Sequence, residues 1–408
     1  MIRVSDYIAE SLVIHDINQV FMLTGGAAMH LNDSLGNHPK LEYICCHHEQ
    51  ACAMAAESYY RLSGKLAAVN ITAGPGAINA LNGVFGAYTD SMGMVVISGQ
   101  AKRETMSINY EIPLRQLGDQ EVDIVSMVRP ITKYATVLQK PEDVRMIIEK
   151  AIFIAKHGRP GPVWIDVPID VQGFKIDPDR LKKYTYSLDD ILSDGDVHPN
   201  TKIGCESNSG IESDIIYDVI KGLKGAKRPV ILAGTGIHVS RSQKMFLKFI
   251  DRLGVPVTTA WSHDLMPSNH RLYCGRSGTI GTRAGNFVVQ NSDYLLILGS
   301  RLNIRQTSYN WDSFASKAFK VQVDVDPSEL SKPHVKIDLK INSDLNEFLN
   351  TMIQIIQKDE IKFNFNDWLE WCKTREGKYP VVLNKHRRSK RINPYHFIEV
   401  LFEELSSD

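Results

Sequence analysis

Short apolar runs that end in glycine turns, each opening a helix-period segment, constrain this chain more than any other feature. Val20-Phe21-Met22-Leu23 runs into Thr24-Gly25-Gly26, and the run from Leu66 to Thr72 into Gly74-Pro75-Gly76. Farther along, Val230 to Ala233 ends at Gly234-Thr235-Gly236, and Tyr294 to Leu298 at Gly299-Ser300-Arg301. Continuous apolar strands need cover on both faces. The segments that follow can supply it: His48 to Leu62 is rich in Ala, Met and Glu and predicts a helix, as do Ile78 to Tyr88 and Gln243 to Leu253. Leu41 to Cys45, Met94 to Ser98 and Val163 to Val167 read as further strands. The alternation predicts an α/β fold: two doubly wound, mostly parallel-sheet domains plus a helical tail.

The 408 residues allow two or three domains. Apolar periodicity fades from about Lys175 to Gly210, where Asp, Ser, Lys, Asn and Gly dominate. We therefore expect a first domain over 1–175, a linker over 176–225, a second domain over 226–350, and a tail over 351–408. The tail holds Trp368, Trp371, a basic run from His386 to Arg391 and an amphipathic helix from Pro394 to Leu405. Lys+Arg and Asp+Glu both number 47, which argues against a general nucleic-acid binder. No stretch approaches the ~18 apolar residues of a membrane helix, and the start resembles no secretory signal. The six cysteines form no Cys-x-x-Cys pair, so a reducing, cytoplasmic setting is expected.

In open parallel sheets, ligands sit at the carboxyl ends of strands, where loops lead into helix N-termini. The glycine turns lie there, yet none completes a G-x-G-x-x-G fingerprint or a G-x-x-x-x-G-K-[ST] phosphate loop. His47-His48-Glu49 stands between a strand and an Ala-rich helix. A Glu in that place most often complements the helix dipole. With no H-E-x-x-H, no metal ligand is assigned.

Taken in order, the motifs resemble the acetohydroxyacid synthase-like branch of the thiamine-diphosphate-dependent enzymes. The matching segments are His48-Glu49-Gln50-Ala51, Ala73-Gly74-Pro75-Gly76-Ala77-Ile78-Asn79, Ile97-Ser98-Gly99-Gln100 and the run from Gly161 to Pro168. The resemblance makes 1–175 a pyrimidine-binding domain and 226–350 a central domain. It implies a transferase or lyase that decarboxylates a 2-keto acid and joins the remaining unit to a carbonyl, with thiamine diphosphate and magnesium as cofactors. Glu49 matches the catalytic glutamate, whose carboxyl at the pyrimidine N1′ helps the cofactor's own amino group remove its C2 proton. Gly25, Gly26, Pro75 and Asn79 match cofactor contacts, and Gln120 matches a glutamine that reaches the cofactor and the substrate channel. In flavin-containing members FAD lies on the central domain, at positions matching Gly234, Gly236, Gly299, Ser300, Arg301, Asp324 and Asp344; many relatives keep the domain with no cofactor, and both readings stay open here. A homodimer or homotetramer is implied, with neither nucleic acid nor membrane as partner.

The sequence departs from the family in three places. Asp119 stands where acetohydroxyacid synthases usually carry phenylalanine, which motivates a different acceptor, such as a keto sugar. Arg301-Leu302-Asn303-Ile304-Arg305 lacks both acids of the usual flavin-site run. The Gly-Asp-Gly and partner asparagine that hold the bridging magnesium are absent; Asp194-Gly195-Asp196 lacks that partner and reads as a loop. Ile392 to Phe397 resembles the opening of the absent diphosphate-binding domain. The sequence is therefore expected to be an N-terminal portion, inactive alone, and a non-catalytic dimerising relative is the alternative. Thr132-Lys133 also matches a family motif, with a simple solvated charge as the other reading of Lys133.

Overall fold

The computed structural model describes residues 1–185, 191, 193–201, 211–261 and 264–406. Cys205 lies outside them. The chain divides into two compact units, Met1–Gly204 and Cys205–Asp408.

In the first unit β1 (Ile2–Arg3) leads into α1 (Val4–Ile14), β2 (Gln19–Met22) into α2 (Met29–Asn37), β3 (Glu42–Cys45) into α3 (Glu49–Ser63), and β4 (Ala68–Ile71) into α4 (Pro75–Asp90). After β5 (Met94–Gln100) come α5 (Ile124–Val128), β6 (Tyr134–Val137), α6 (Val144–Lys156), β7 (Pro162–Pro168), α7 (Ile169–Gln172) and β8 (Lys175–Ile176). Six strands form a parallel sheet in the order β3-β2-β4-β5-β7-β6. Every residue of β5 and β7 is buried, as strands covered on both faces require. Val20, Met22, Val95, Ile97, Val163 and Ile165 share a core with α1, α2 and α6.

Helices α3 and α4 pack tightly because their contact is made of small residues. A Cβ on Gly83 would stand 2.6 Å from the Ala53 Cβ, and Ala53, Ala56, Ala80 and Val84 are fully buried. Pro75 at the first turn starts α4 without wasting a backbone donor. Gly64, left-handed at φ 67°, ends α3.

The second unit repeats the theme: β9 (Pro229–Ala233), β10 (Val257–Thr259), β11 (Tyr273–Arg276), β12 (Tyr294–Leu298), β13 (Phe319–Asp324) and β14 (Leu339–Asn342) form a parallel sheet in the order β11-β10-β9-β12-β13-β14. Apolar clusters cover both faces.

Of the expected 176–225 linker, residues 186–190, 192 and 202–210 lie outside the described residues, and the described parts pack on the units that flank them. β8 pairs antiparallel with β1, and Ile191 and Val197 join the first core. Asp194 pairs with Lys150, while Asp196 accepts from Thr136 Oγ1 at 2.6 Å and pairs with Arg129 at 3.0 Å. The acids that make this stretch look like linker bind it to the first unit. Helix Ser213–Gly225 buries Ile216, Val219, Ile220 and Leu223 in the second core. The expected boundary at residue 350 falls inside helix Leu345–Lys358. Helix Asn366–Lys378 then places Trp368 and Cys372 in the second unit's core, with the Trp368 indole donating to the Pro229 carbonyl at 3.0 Å. Helix Pro394–Glu404 buries no residue.

Candidate active site

The strand order of the first unit reverses between β2 and β4, so the loops after these strands diverge and open a crevice. Both carry glycines. A Cβ on Gly25 would stand 2.4 Å from the Thr72 Cβ, while Thr72 Oγ1 accepts from the Ala27 amide at 3.2 Å. Asn32 donates to the Gly25 carbonyl at 3.2 Å. Gly26 has nothing within 4 Å of where its Cβ would be, so the floor beside it is open.

Glu49 opens α3 on the strand next to this crevice. The His48 ring accepts from the Gln50 amide at 3.1 Å and caps the helix, leaving Glu49 free of that task. The Glu49 side chain points inward, and the residue is 8% exposed. Asn79, one turn into α4, donates to its Oε2 at 3.0 Å. Oε1 lies against the Gly74-Pro75-Gly76 turn, 2.9 Å from where a Gly76 Cβ would stand. Buried Cys52 is a neighbour; burial first, then Cys46 and Glu49, push its thiol up to about 12. The result is an oriented carboxyl in a largely dry pocket with one oxygen facing a glycine-lined gap. Such a group can hold or pass one proton.

Gln120 reaches the same place from the long stretch between β5 and α5. Its backbone is left-handed, φ 54°, and a Cβ on Gly74 would stand 2.0 Å from its carbonyl oxygen. Gln120 thus sits on the turn that starts α4, with exposed Asp119 before it and buried Glu121 after it. The fold brings together Glu49, Pro75, Asn79 and Gln120, with Gly25 and Gly26 on the adjacent switch-point loop. Gly76, Thr72 and Glu121 were given no role by sequence reasoning. Only Gly76, inside a Gly-Pro-Gly run at a strand end, carried a local signal.

Two buried ionisable groups support the sheet edge. Asp166 on β7 accepts from Ser98 Oγ and, at 2.8 Å, from Gln100 Nε2, and the Trp164 indole donates to Ser98 Oγ at 2.8 Å. Burial pushes the Asp166 carboxyl up to about 7, outweighing the lowering by Ser98 and Gln100. The unfolded chain ionises Asp166 near 3.8, while the folded chain keeps the proton to about 7. Over that window the unfolded state binds fewer protons, so stability falls as pH rises. We expect the unfolding midpoint of the wild type to drop from about pH 4 to about pH 7 more steeply than that of D166N, measured by calorimetry. Lys133 is buried, which removes the reading of it as a solvated charge. Its ammonium donates to the Ile154 carbonyl and, at 2.7 Å, to the His157 carbonyl at the end of α6. Burial lowers its pKa to about 7.

In the second unit the strand order reverses between β9 and β12, and the loops after them hold Gly234, Gly236, Gly299, Ser300 and Arg301. These glycines permit backbone-to-backbone packing: a Cβ on Gly234 would stand 2.3 Å from the Gly299 carbonyl oxygen, and the Gly236 amide donates to it at 2.9 Å. Ser300 Oγ donates to Gln306 at 3.1 Å, Asp324 accepts from the Asp326 amide at 3.0 Å, and Asp344 caps helix Leu345–Lys358. Lys332 donates to the Arg301 carbonyl at 3.1 Å. At the same carboxyl edge, Thr258 Oγ1, Thr259 Oγ1 and Arg276 Nε are buried without a hydrogen-bond partner. Among the described residues no cluster of three or more His, Cys, Asp or Glu could hold a metal, and no helix is long and apolar enough to cross a membrane.

Comparison with known proteins agrees with this geometry. Residues 2–127 match the model of the thiamine pyrophosphate enzyme N-terminal TPP binding domain, and residues 216–352 that of the thiamine pyrophosphate enzyme central domain. The chain belongs to the thiamine pyrophosphate enzyme family. It is 32% identical over 400 residues to the acetolactate synthase large subunit of Buchnera aphidicola subsp. Schizaphis graminum, covering 98% of this chain and 66% of that protein. It is 31% identical over 405 residues to the Lactococcus lactis large subunit, covering 99% and 65%. Against the large subunit of Escherichia coli acetolactate synthase isozyme 3 the identity is 29% over 416 residues, covering 100% and 67%. The chain thus spans about two thirds of the length of the curated relatives it matches. Within this thiamine pyrophosphate enzyme, Glu49, Asn79 and Gln120 fall inside the N-terminal match, and the glycine cluster around Gly299 inside the central one.

Proposed function

We propose that this chain carries the pyrimidine-binding and central portions of a thiamine-diphosphate-dependent enzyme that decarboxylates a 2-keto acid and joins the remaining fragment to a second carbonyl. The observation that carries the reading is the Glu49 carboxylate, buried beside the switch point, bound on one oxygen by Asn79 and turned with the other toward the Gly76 turn. Glu49 would face the pyrimidine N1′ of the bound cofactor, and Asn79 fixes the plane of the carboxyl. Pro75 and the Gly25-Gly26 loop would border the pyrimidine, and Gln120 would reach from the cofactor toward the substrate. When bound, the cofactor supplies the electron sink that lets carbon dioxide leave. The relatives named acetolactate synthase support pyruvate as donor. Asp119 supports a second reading, in which the acceptor is another carbonyl such as a keto sugar. Product analysis of the complete enzyme with pyruvate alone separates them: acetolactate as sole product overturns the second, and carbon dioxide release without acetolactate overturns the first.

The Gly-Asp-Gly and asparagine motif does not occur in the 408 residues. This reading therefore assigns magnesium and the diphosphate to residues outside this sequence. Residues 1–408 alone should then bind thiamine diphosphate weakly and turn nothing over, and calorimetry showing tight, magnesium-dependent binding would overturn that assignment. A homodimer, or a homotetramer built from it, is supported by exposed Tyr43, Ile44, Met54, Ile78 and Phe85 on β3, α3 and α4. FAD is the ligand assigned to the central-domain edge. The orphaned Thr258, Thr259 and Arg276 donors favour it, and Arg301 suits a diphosphate. A purified complete protein that carries no flavin and takes up no added FAD contradicts this. The absence of disulfides among the described cysteines suits a cytoplasmic enzyme.

A further inference from the structure

Gln120 holds a left-handed backbone, φ 54°, that residues other than glycine rarely adopt. Such a conformation persists only where the surroundings over-determine it, and it points to a site under constraint. The constraint lies in the next residue. Glu121 is buried, and its carboxylate collects four donors: the Ser107 amide and hydroxyl on Oε1, and on Oε2 the Leu117 amide at 3.0 Å and the Gly118 amide at 2.8 Å. Gln116 Nε2 donates to the Glu121 carbonyl at 3.0 Å. One residue on, the Val122 carbonyl accepts from Gln100 Nε2 at 3.0 Å, and Gln100 also donates to Asp166. The segment carrying Asp119 and Gln120 is thus gathered around one carboxylate and tied at its far end to the sheet.

We propose that Glu121 is a positioning residue that sets the Asp119–Gln120 segment against the Gly74 turn, and so governs substrate affinity without touching substrate. The inference rests on the reading that Gln120 faces the substrate. A carboxylate is needed because all four neighbours donate. Glutamine would turn an amide N–H₂ toward one pair of donors, leaving repulsion and unbonded amides where two acceptances stood. These bonds also hold the Glu121 carboxyl below the usual carboxylate range despite its burial, so the clamp is ionised at neutral pH.

The test compares wild type, E121Q, S107A, Q120A and the double variant E121Q/Q120A in the complete enzyme. The readouts are KM and kcat for the 2-keto acid, the C2 proton exchange rate of bound thiamine diphosphate, and amide hydrogen exchange at Leu117 and Gly118. For E121Q we expect KM to rise about tenfold, amide exchange to quicken, and C2 exchange to stay within about twofold, because Glu49 and Asn79 are untouched. S107A removes one donor of four, so it should move KM the same way by a smaller factor. Q120A should also raise KM, and combining it with E121Q should add little, since both act through one side chain. Should E121Q fail to fold, S107A and its combination with Q120A carry the same comparison. Unchanged KM in E121Q and S107A, C2 exchange falling in step with KM, or effects that multiply in the double variant would each overturn the proposal. A wild-type enzyme that shows no C2 exchange contradicts instead the functional reading on which it rests.

Discussion

The E49Q variant of the complete enzyme should release carbon dioxide from its 2-keto acid about 10²–10⁴-fold more slowly than wild type, the usual cost of losing a positioned acid–base group. Its fold should be intact. Asn79 donates to Glu49 Oε2 at 3.0 Å, and a glutamine carbonyl can accept that bond unchanged. What the amide cannot do is offer a proton on oxygen to the pyrimidine. Circular dichroism and the unfolding midpoint should therefore match wild type while turnover collapses. A large fall in the midpoint would mean that Glu49 is chiefly a structural acid.

The second large effect comes from a methyl group. A Cβ on Gly76 would stand 2.9 Å from Glu49 Oε1 and 2.8 Å from Thr72 Cγ2. Gly76 lies in the first turn of α4, where alanine is the better helix former. G76A should therefore cost less stability than a substitution at Gly74, helix propensity offsetting part of the contact with Thr72, yet push the Glu49 carboxyl off its place. Displacing a reacting group by ~1 Å can cost about 10²-fold, and we expect turnover to fall by about that much. Gly74 is the contrast. Its φ of 58° and ψ of −124° suit glycine alone, and a Cβ there would meet the Gln120 carbonyl oxygen, a backbone atom, at 2.0 Å. G74A should lower stability and turnover together. Urea unfolding alongside steady-state rates distinguishes the two, and equal stability losses in both variants would contradict the argument for Gly76.

Much of this was legible from sequence, and the physical reasons are particular. β2, β4, β9 and β12 are buried on both faces over most of their length, so their runs are apolar but for Gln19 and the buried Asn70, and their glycine turns stand out. β6 and β14 are edge strands of mixed composition and give no such signal. Asp194 and Asp196 looked like linker acids although they tie to Lys150, Arg129 and Thr136, because composition cannot tell a solvated acid from a paired one. The sequence left Lys133 open for a similar reason, its partners being backbone carbonyls that leave no trace in sequence. Glu49 was legible through its motif, but its link to Asn79 depends on how α3 meets α4. The hydrogen bonds gathered on Glu121 depend on a loop whose closure no local pattern announces.

The central claim is that the Glu49 carboxyl activates thiamine diphosphate from the switch-point crevice of the first unit. Its most direct test is the rate of hydrogen–deuterium exchange at the cofactor's C2, measured by NMR on the complete enzyme at equal cofactor occupancy for wild type and E49Q. The account predicts rapid exchange in the wild type and a loss of at least about 10²-fold in the variant. Equal rates in the two proteins would contradict it.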